Sequence, residues 1–280
     1  PAMPELREGD VAEGNRVPTM RRQGESMMKT ALSFGAGVQT TALLVLCAEG
    51  RWPRPDAIIF ADTGNEHEET YRYLGEVSGP YAREHGMAIV VLGPDWRTAH
   101  YRNDLETYCL EHRMLPGTLV RWCTGKYKVL PIIRFLKARL GATRANPVEA
   151  WIGISTDEAK RQKLSIDPRE VKRYPLIELG LSRADCEDVI RAAGLAVPPK
   201  SGCWFCPFMK QSSWHQLKRE SPDLFARARA MEGNARGKDG SKKYLPIFGS
   251  LERVAAQDSF PGFDEAVAAE AGCITGSCFV

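Results

Sequence analysis

The sequence has no apolar run long enough to cross a bilayer, and no secretory signal pattern opens it. A membrane role is set aside, and a cytoplasmic protein is expected. Charge of either sign is not in large excess: the net charge is only +3, so it names no class of partner. No internal repeat or low-complexity tract is present. The five histidines form no pair at metal-ligand spacing, which leaves histidine-based metal or general-base chemistry without support. Eight cysteines are present, and in a reducing compartment they read as thiols or metal ligands rather than disulfides.

With 280 residues and 43% apolar content, the chain can bury one substantial core, and a domain with an appended subdomain is expected. Residues 1–26 are polar, rich in Pro, Gly and charge, and read as a disordered tail or an expression remnant. Residues 27–197 alternate short apolar runs with helical patterns. Strands are expected at Ala31–Phe34, Ala57–Ala61, Ala88–Leu92, Ala150–Ile154 and Tyr174–Ile177. Helices are expected at Thr40–Ala48, Glu66–His85, Lys128–Leu140 and Arg183–Ala193, the last capped by Ser182. This alternation predicts an α/β fold, a parallel sheet with helices on both faces and ligands at the strands' carboxyl ends. From residue 198 to 280 the alternation stops, and a small, irregular, Cys-containing C-terminal module is expected.

Two strand ends carry polar chemistry. The first runs into "SFGAGVQTT", where Gly35 and Gly37 permit a sharp turn and close approach to an anion. Ser33, Thr40 and Thr41 add hydroxyls. No Gly-Lys-Ser/Thr ending follows, so the loop is not of the Walker type. The second strand ends in Asp62-Thr63-Gly64 and an acidic helix start. Read blandly, the first is a connecting turn and the second a turn with an N-cap. Residues 121–144 hold several Lys and Arg and no acidic residue, a face able to meet phosphates or simply a solvated helix.

Taken in order, "SFGA", "DTG" with "ETY", "RWCTGKYKVLPI" and "WIGISTDEAKR" resemble the phosphoadenylylsulfate reductase family of the PP-loop, or N-type ATP pyrophosphatase, superfamily. The resemblance covers residues 29–208 and implies an adenine nucleotide alpha hydrolase-like fold. It implies that Ser33, Gly35, Gly37 and Thr40 cradle phosphate or sulfate oxygens, and that Asp62, Thr63 and Gly64 lie beside an adenosine. Lys126 and Arg161 would approach the anion as catalytic cations. Many ATP-cleaving members carry an acidic residue late in the loop. Here the sequence reads Val38-Gln39, which leaves magnesium without an obvious ligand at that place.

"KSGCWFCPFM" sets Cys203 and Cys206 two residues apart, the spacing of a redox pair, a zinc half-site or an iron–sulfur half-site. Reductases that use adenylylsulfate carry a tandem Cys-Cys, then a similar gap, then Cys-x-x-Cys, and these hold a four-iron cluster. At the tandem place this chain has Trp122-Cys123, 80 residues before Cys203. The resemblance therefore implies a metal site of Cys123, Cys203 and Cys206, holding a 4Fe-4S cluster or, as the bland competitor, zinc. A fourth ligand would come from Cys109, Cys273 or Cys278, or one iron would stay open. The Glu-Cys-Gly-hydrophobic-His motif that carries the reductases' nucleophile is absent.

Three functions are expected to compete. The first is ATP-dependent sulfur transfer: adenylylation of an acceptor, a nucleic acid or its nucleobase, then thiolation with sulfur from a donor. The second is reductive cleavage of adenylylsulfate or its 3′-phosphorylated form. The third is a metal-stabilised nucleic-acid-binding module without catalysis, for which Gln39 is the best support.

Overall fold

The computed structural model describes residues 28–117, 121–235, 243–245 and 249–256. Strands β1 (Thr30–Ser33), β2 (Ala57–Ala61), β3 (Ile89–Leu92), β4 (Val148–Ile152) and β5 (Glu170–Arg173) form one sheet in the order β3-β2-β1-β4-β5. Every neighbouring pair is parallel. The chain builds outward from β1 to β3, then crosses back to lay β4 against the other side of β1. The strand order reverses between β1 and β4, and that reversal opens a crevice at their carboxyl ends.

Both faces of the sheet are covered, which is why the central strands read as continuous apolar runs. Leu32, Ile58, Phe60 and Trp151 point to one face and pack with α1 (Val38–Ala48) and α7 (Arg183–Ala192). Ala31, Ile59, Ala61 and Val148 point to the other and pack with α5 (Leu130–Leu140). Val38 to Cys47 are all buried, so α1 is a central helix with no solvent face. The Ser182 cap is present as a full capping box with Asp185.

Two helices open into a wider turn just ahead of a proline. Between α2 (Glu68–Tyr73) and α3 (Gly79–Glu84) lies a π-helical turn, Leu74–Ser78, before Pro80. A second, Thr124–Val129, leads into α5 before Pro131. A proline ring crowds the carbonyl four residues back, and a π turn makes room for it.

The fifth strand differs from expectation. Tyr174–Ile177 was expected to be extended, but Pro175 starts the short helix α6 (Pro175–Glu178). The edge strand is the preceding charged Glu170–Arg173. The C-terminal segment is helical among the described residues: α8 (Gln211–Glu220), α9 (Pro222–Asn234) and α10 (Leu251–Ala256). Trp204, Phe205, Phe208 and Trp214 are buried there. Its core is shared with Leu105, Tyr108 and Cys109 of α4 (Leu105–Glu111) and with Tyr127, so it is packed onto the sheet domain. Cys273 and Cys278 lie outside the described residues, as does the segment 1–26.

Candidate functional site

The loop after β1 turns at Ala36, not at a glycine. Ala36 is fully buried with φ 53°, while Gly37 is extended at φ −102°, ψ 176°. Thr40 braces the turn: its Oγ1 accepts from Gly35 N–H at 3.2 Å and donates to the Gly37 carbonyl at 3.2 Å. Gly37 offers α1 no side-chain cap. The first-turn N–H groups of α1 therefore stand at the crevice without a capping side chain, an arrangement suited to an anion.

Gly153, one residue past β4, lets α1 come this close. A Cβ there would lie 2.6 Å from Thr40 Cγ2 and 3.2 Å from Thr40 N. Ser33, Gly35, Thr40, Gly153 and Lys128 line a narrow cleft of about 20 Å³, the scale of one small anion rather than of a base. Lys126 turns elsewhere: its ammonium sits over the Tyr101 ring at 5.6 Å, and Lys128 is the lysine at the cleft.

Arg161 is tied to the same helix end through a relay. Its Nη1 lies 2.5 Å from Glu158 Oε2, and that carboxylate accepts from Gln39 Nε2 at 3.2 Å. Gln39 also meets Ser155 Oγ and Arg183, each at 3.5 Å. The residue that replaces an acid in the loop thus holds a carboxylate from the neighbouring segment.

The Asp62-Thr63-Gly64 corner is built by its own hydrogen bonds. Asp62 Oδ1 accepts from Gly64 N–H at 2.8 Å and from Tyr71 Oη at 2.7 Å. Burial, and then the Asp62 charge, push the Tyr71 phenol up, so it stays a donor. Gly64 has φ 81°, and a Cβ there would lie 2.7 Å from Asp104 Cβ. Arg97, 3% exposed, clamps the corner from below by donating to the Asp62 carbonyl at 2.5 Å and the Asn103 carbonyl at 2.9 Å.

From this corner the chain meets the cysteine loop. Glu66 and Cys203 form an antiparallel bridge, flanked by His67 N–H to the Gly202 carbonyl and Trp204 N–H to the Asn65 carbonyl. Thr63 Oγ1 lies 3.2 Å from Cys203 Sγ and 3.1 Å from Glu66 Oε1. The same Glu66 oxygen is 3.1 Å from Lys128 Nζ. Burial and then the Glu66 charge hold the Cys203 thiol well above its ordinary range, and burial raises Cys123 as well.

Cys203, Cys206 and Cys123 pack against one core, and Cys203 and Cys123 are close enough that a thiolate at one would disfavour a thiolate at the other. Cys109 is buried beside Cys123. Among the described residues no three His, Cys, Asp or Glu side chains converge where one metal ion could sit. A zinc ion needs its thiolates about 2.3 Å from a single point. A cluster takes each thiolate on a separate iron, so its thiols stand further apart than those of a zinc site. Cys47 and Cys186 are buried in the main core, their thiols each pushed up to about 12 by burial.

A larger cavity of about 450 Å³ has Cys203 and Cys206 on its wall. His67, Ser201, Glu66, Arg97 and Lys128 were not singled out as functional from the sequence. The basic segment holding Lys128 is legible; the buried partners of Arg97 and the unpartnered Ser201 hydroxyl have no signal in any spacing.

A doubly wound parallel sheet with a glycine loop and a helix N-terminus at its switch point defines a nucleotide-binding α/β domain. The chain belongs to the phosphoadenosine phosphosulfate reductase domain family, whose model matches residues 29–179, and so to the PP-loop, adenine nucleotide alpha hydrolase-like superfamily. It is 28% identical over 200 residues to the uncharacterized nin region protein ORF290 of Escherichia phage lambda, covering 64% of this chain and 66% of that protein. It is 22% identical over 232 residues to the uncharacterized protein MJ0066 of Methanocaldococcus jannaschii, covering 77% of this chain. The chain spans only 44% of the latter's length. No helix among the described residues is long and apolar enough to cross a membrane.

Proposed function

We propose that the protein is an ATP-dependent sulfurtransferase that activates an acceptor oxygen at the switch-point cleft and thiolates it beside Cys203 and Cys206. The observation that carries this reading is Lys128, which lines the anion cleft and pairs with Glu66, the residue bridged to Cys203. This chain of contacts supports reading the cleft and the cysteine loop as one site.

In this reading a carbonyl or imidate oxygen of the acceptor attacks the α-phosphorus of ATP, and the bond to pyrophosphate breaks. Sulfur then attacks the activated carbon, and the carbon–oxygen bond breaks with AMP as leaving group. The loop N–H groups and Lys128 hold phosphate charge, and Arg161 orients the α1 end through Glu158 and Gln39. Glu158, held to the loop helix by Gln39, is a carboxylate that could ligate magnesium brought with ATP. Cys123, Cys203 and Cys206 would hold a 4Fe-4S cluster, which when bound would hold or supply the sulfur. A nucleic-acid acceptor draws support from the basic segment 121–144, yet Glu68, Glu69 and Glu220 around the cysteine cavity oppose a phosphate strand there.

The family match favours a second reading, reductive cleavage of a sulfonucleotide by a cysteine thiolate. Product analysis separates the two. Anaerobically prepared protein is incubated with ATP, sulfide and candidate acceptors, and separately with adenylylsulfate and a thiol reductant. AMP with pyrophosphate from ATP supports sulfur transfer. Sulfite from adenylylsulfate, with ATP untouched, supports the reductase.

A further inference from the structure

The 450 Å³ cavity lined by Cys203 and Cys206 has features that the nucleotide cleft does not explain. Its wall is formed by the start of α2, the segment around residues 199–209, and α8. Ser201 lines it at 5% exposure, and its hydroxyl oxygen is buried with no hydrogen-bond partner among the described residues. A buried hydroxyl left without a partner is costly, and a rotation of the Ser201 side chain toward a polar group in the cavity would satisfy it. Gly202, at φ 147°, has open space where a side chain would stand.

Charge of both signs surrounds this opening. Arg72 and Lys200 lie on the wall with Glu68 and Glu69. None of these four makes an ion pair among the described residues. Phe208, Met209 and Leu217 give the wall an apolar part. Burial holds the His67 imidazole below its ordinary range, so it is a neutral hydrogen-bonding group at neutral pH.

We propose that this cavity is the acceptor site and that its ligand is a small zwitterion of amino-acid to tripeptide size. A carboxylate meets Arg72 and Lys200, an ammonium meets Glu68 and Glu69, and a polar group in the body of the molecule meets Ser201. A volume of about 450 Å³ suits a molecule of that size. Three glutamates, Glu68, Glu69 and Glu220, oppose a polyanion at the same opening. The place of this ligand in the reaction rests on the sulfurtransferase reading; its binding does not.

The test is calorimetric titration of the full chain with trialanine, N-acetyl-trialanine, trialanine amide and a short single-stranded oligonucleotide. Trialanine is expected to bind, and blocking either end should weaken it about tenfold, the size of one lost charge-assisted contact. The double variant Arg72→Ala, Lys200→Ala should weaken trialanine and leave the amide unchanged. The double variant Glu68→Gln, Glu69→Gln should weaken trialanine and leave the N-acetyl form unchanged. Ser201→Ala should weaken all three peptides, with circular dichroism as the check on folding. Equal binding of blocked and free peptides, no peptide binding, or binding of the oligonucleotide alone overturns the proposal. ATP is titrated into the same preparations: ATP binding without peptide binding sinks the zwitterion site only, and the converse sinks the nucleotide reading only.

Discussion

Lys128 Nζ lies 3.1 Å from Glu66 Oε1, and it is this contact that joins the anion cleft to the cysteine loop. The Glu66 side chain is 2% exposed, and Lys128 is the cation paired with it. Removing one member of a buried pair costs about 3–5 kcal/mol, whereas removing both is often close to neutral. Lys128→Met should therefore destabilise the protein by roughly that amount, and Lys128→Met with Glu66→Leu should restore much of the loss. Urea unfolding of the two variants measures it. Equal stability of single and double variants would mean that the pair is not coupled.

The approach of α1 to β4 depends on Gly153. An added methyl would meet Thr40 at 2.6 Å, and helix and strand must then part. Gly153→Ala should cost about 1–3 kcal/mol, as overpacked sites do, and weaken anion binding at the loop. Gly75→Ala is the control, since nothing lies within 4 Å of the added atom. In that helical position it should be neutral or stabilising by up to about 1 kcal/mol. Thermal unfolding of both variants decides the point.

Ala36 holds the one buried left-handed turn in the loop, at φ 53°. A β-branched side chain is far less tolerant of that conformation. Ala36→Gly should keep the fold and nucleotide affinity, while Ala36→Val should lose both, by about 1–3 kcal/mol in stability. Parallel melting curves and ATP titrations check it, and tolerance of valine would mean that the loop turns elsewhere.

Asp104 gives the fold a defined acid sensitivity. It caps α4, accepting from Thr107 N–H at 3.0 Å and from Thr107 Oγ1 at 2.6 Å. Burial alone would raise its carboxyl; the bonds from Thr107 outweigh it and the net shift is downward. A carboxyl depressed in the folded state adds stability above its unfolded pKa, and that stability fades as pH falls through the folded one. Asp104→Ala should cost about 1 kcal/mol at pH 7. The gap to wild type should shrink below about pH 4, where the unfolded carboxyl takes up its proton. A gap independent of pH would remove the charge from the account.

Much of this architecture is legible from residue pattern alone. The run Ala57–Ala61 is apolar on both faces and coincides with β2, and Ser182 caps its helix as its side chain dictates. The edge strand Glu170–Arg173 is not legible, because three of its four residues are charged and its pattern is inverted: Glu170 is buried while Val171 is exposed. Pro175 lies in an apolar stretch that imitates a strand and starts a helix instead. At the site, Ser33, Gly35 and Thr40 come together with Lys128, two positions from the expected Lys126. The π-helical turn at Thr124–Val129 sets which lysine faces the cleft, and that turn answers to Pro131 rather than to any periodicity. Arg97 and Ser201 matter through what they touch or fail to touch after folding, and composition carries no trace of that.

The central claim is that an adenine nucleotide binds at the loop between Ser33 and Thr40 with Lys128 on its phosphates. Calorimetric titration of ATP and adenylylsulfate into wild type and Lys128→Gln tests it most directly. One nucleotide per chain is expected, with affinity reduced about tenfold or more in Lys128→Gln, the loss of one charge-assisted contact. The circular dichroism of the variant should match wild type. Absence of binding for both nucleotides, or equal affinity in the well-folded variant, would contradict the account.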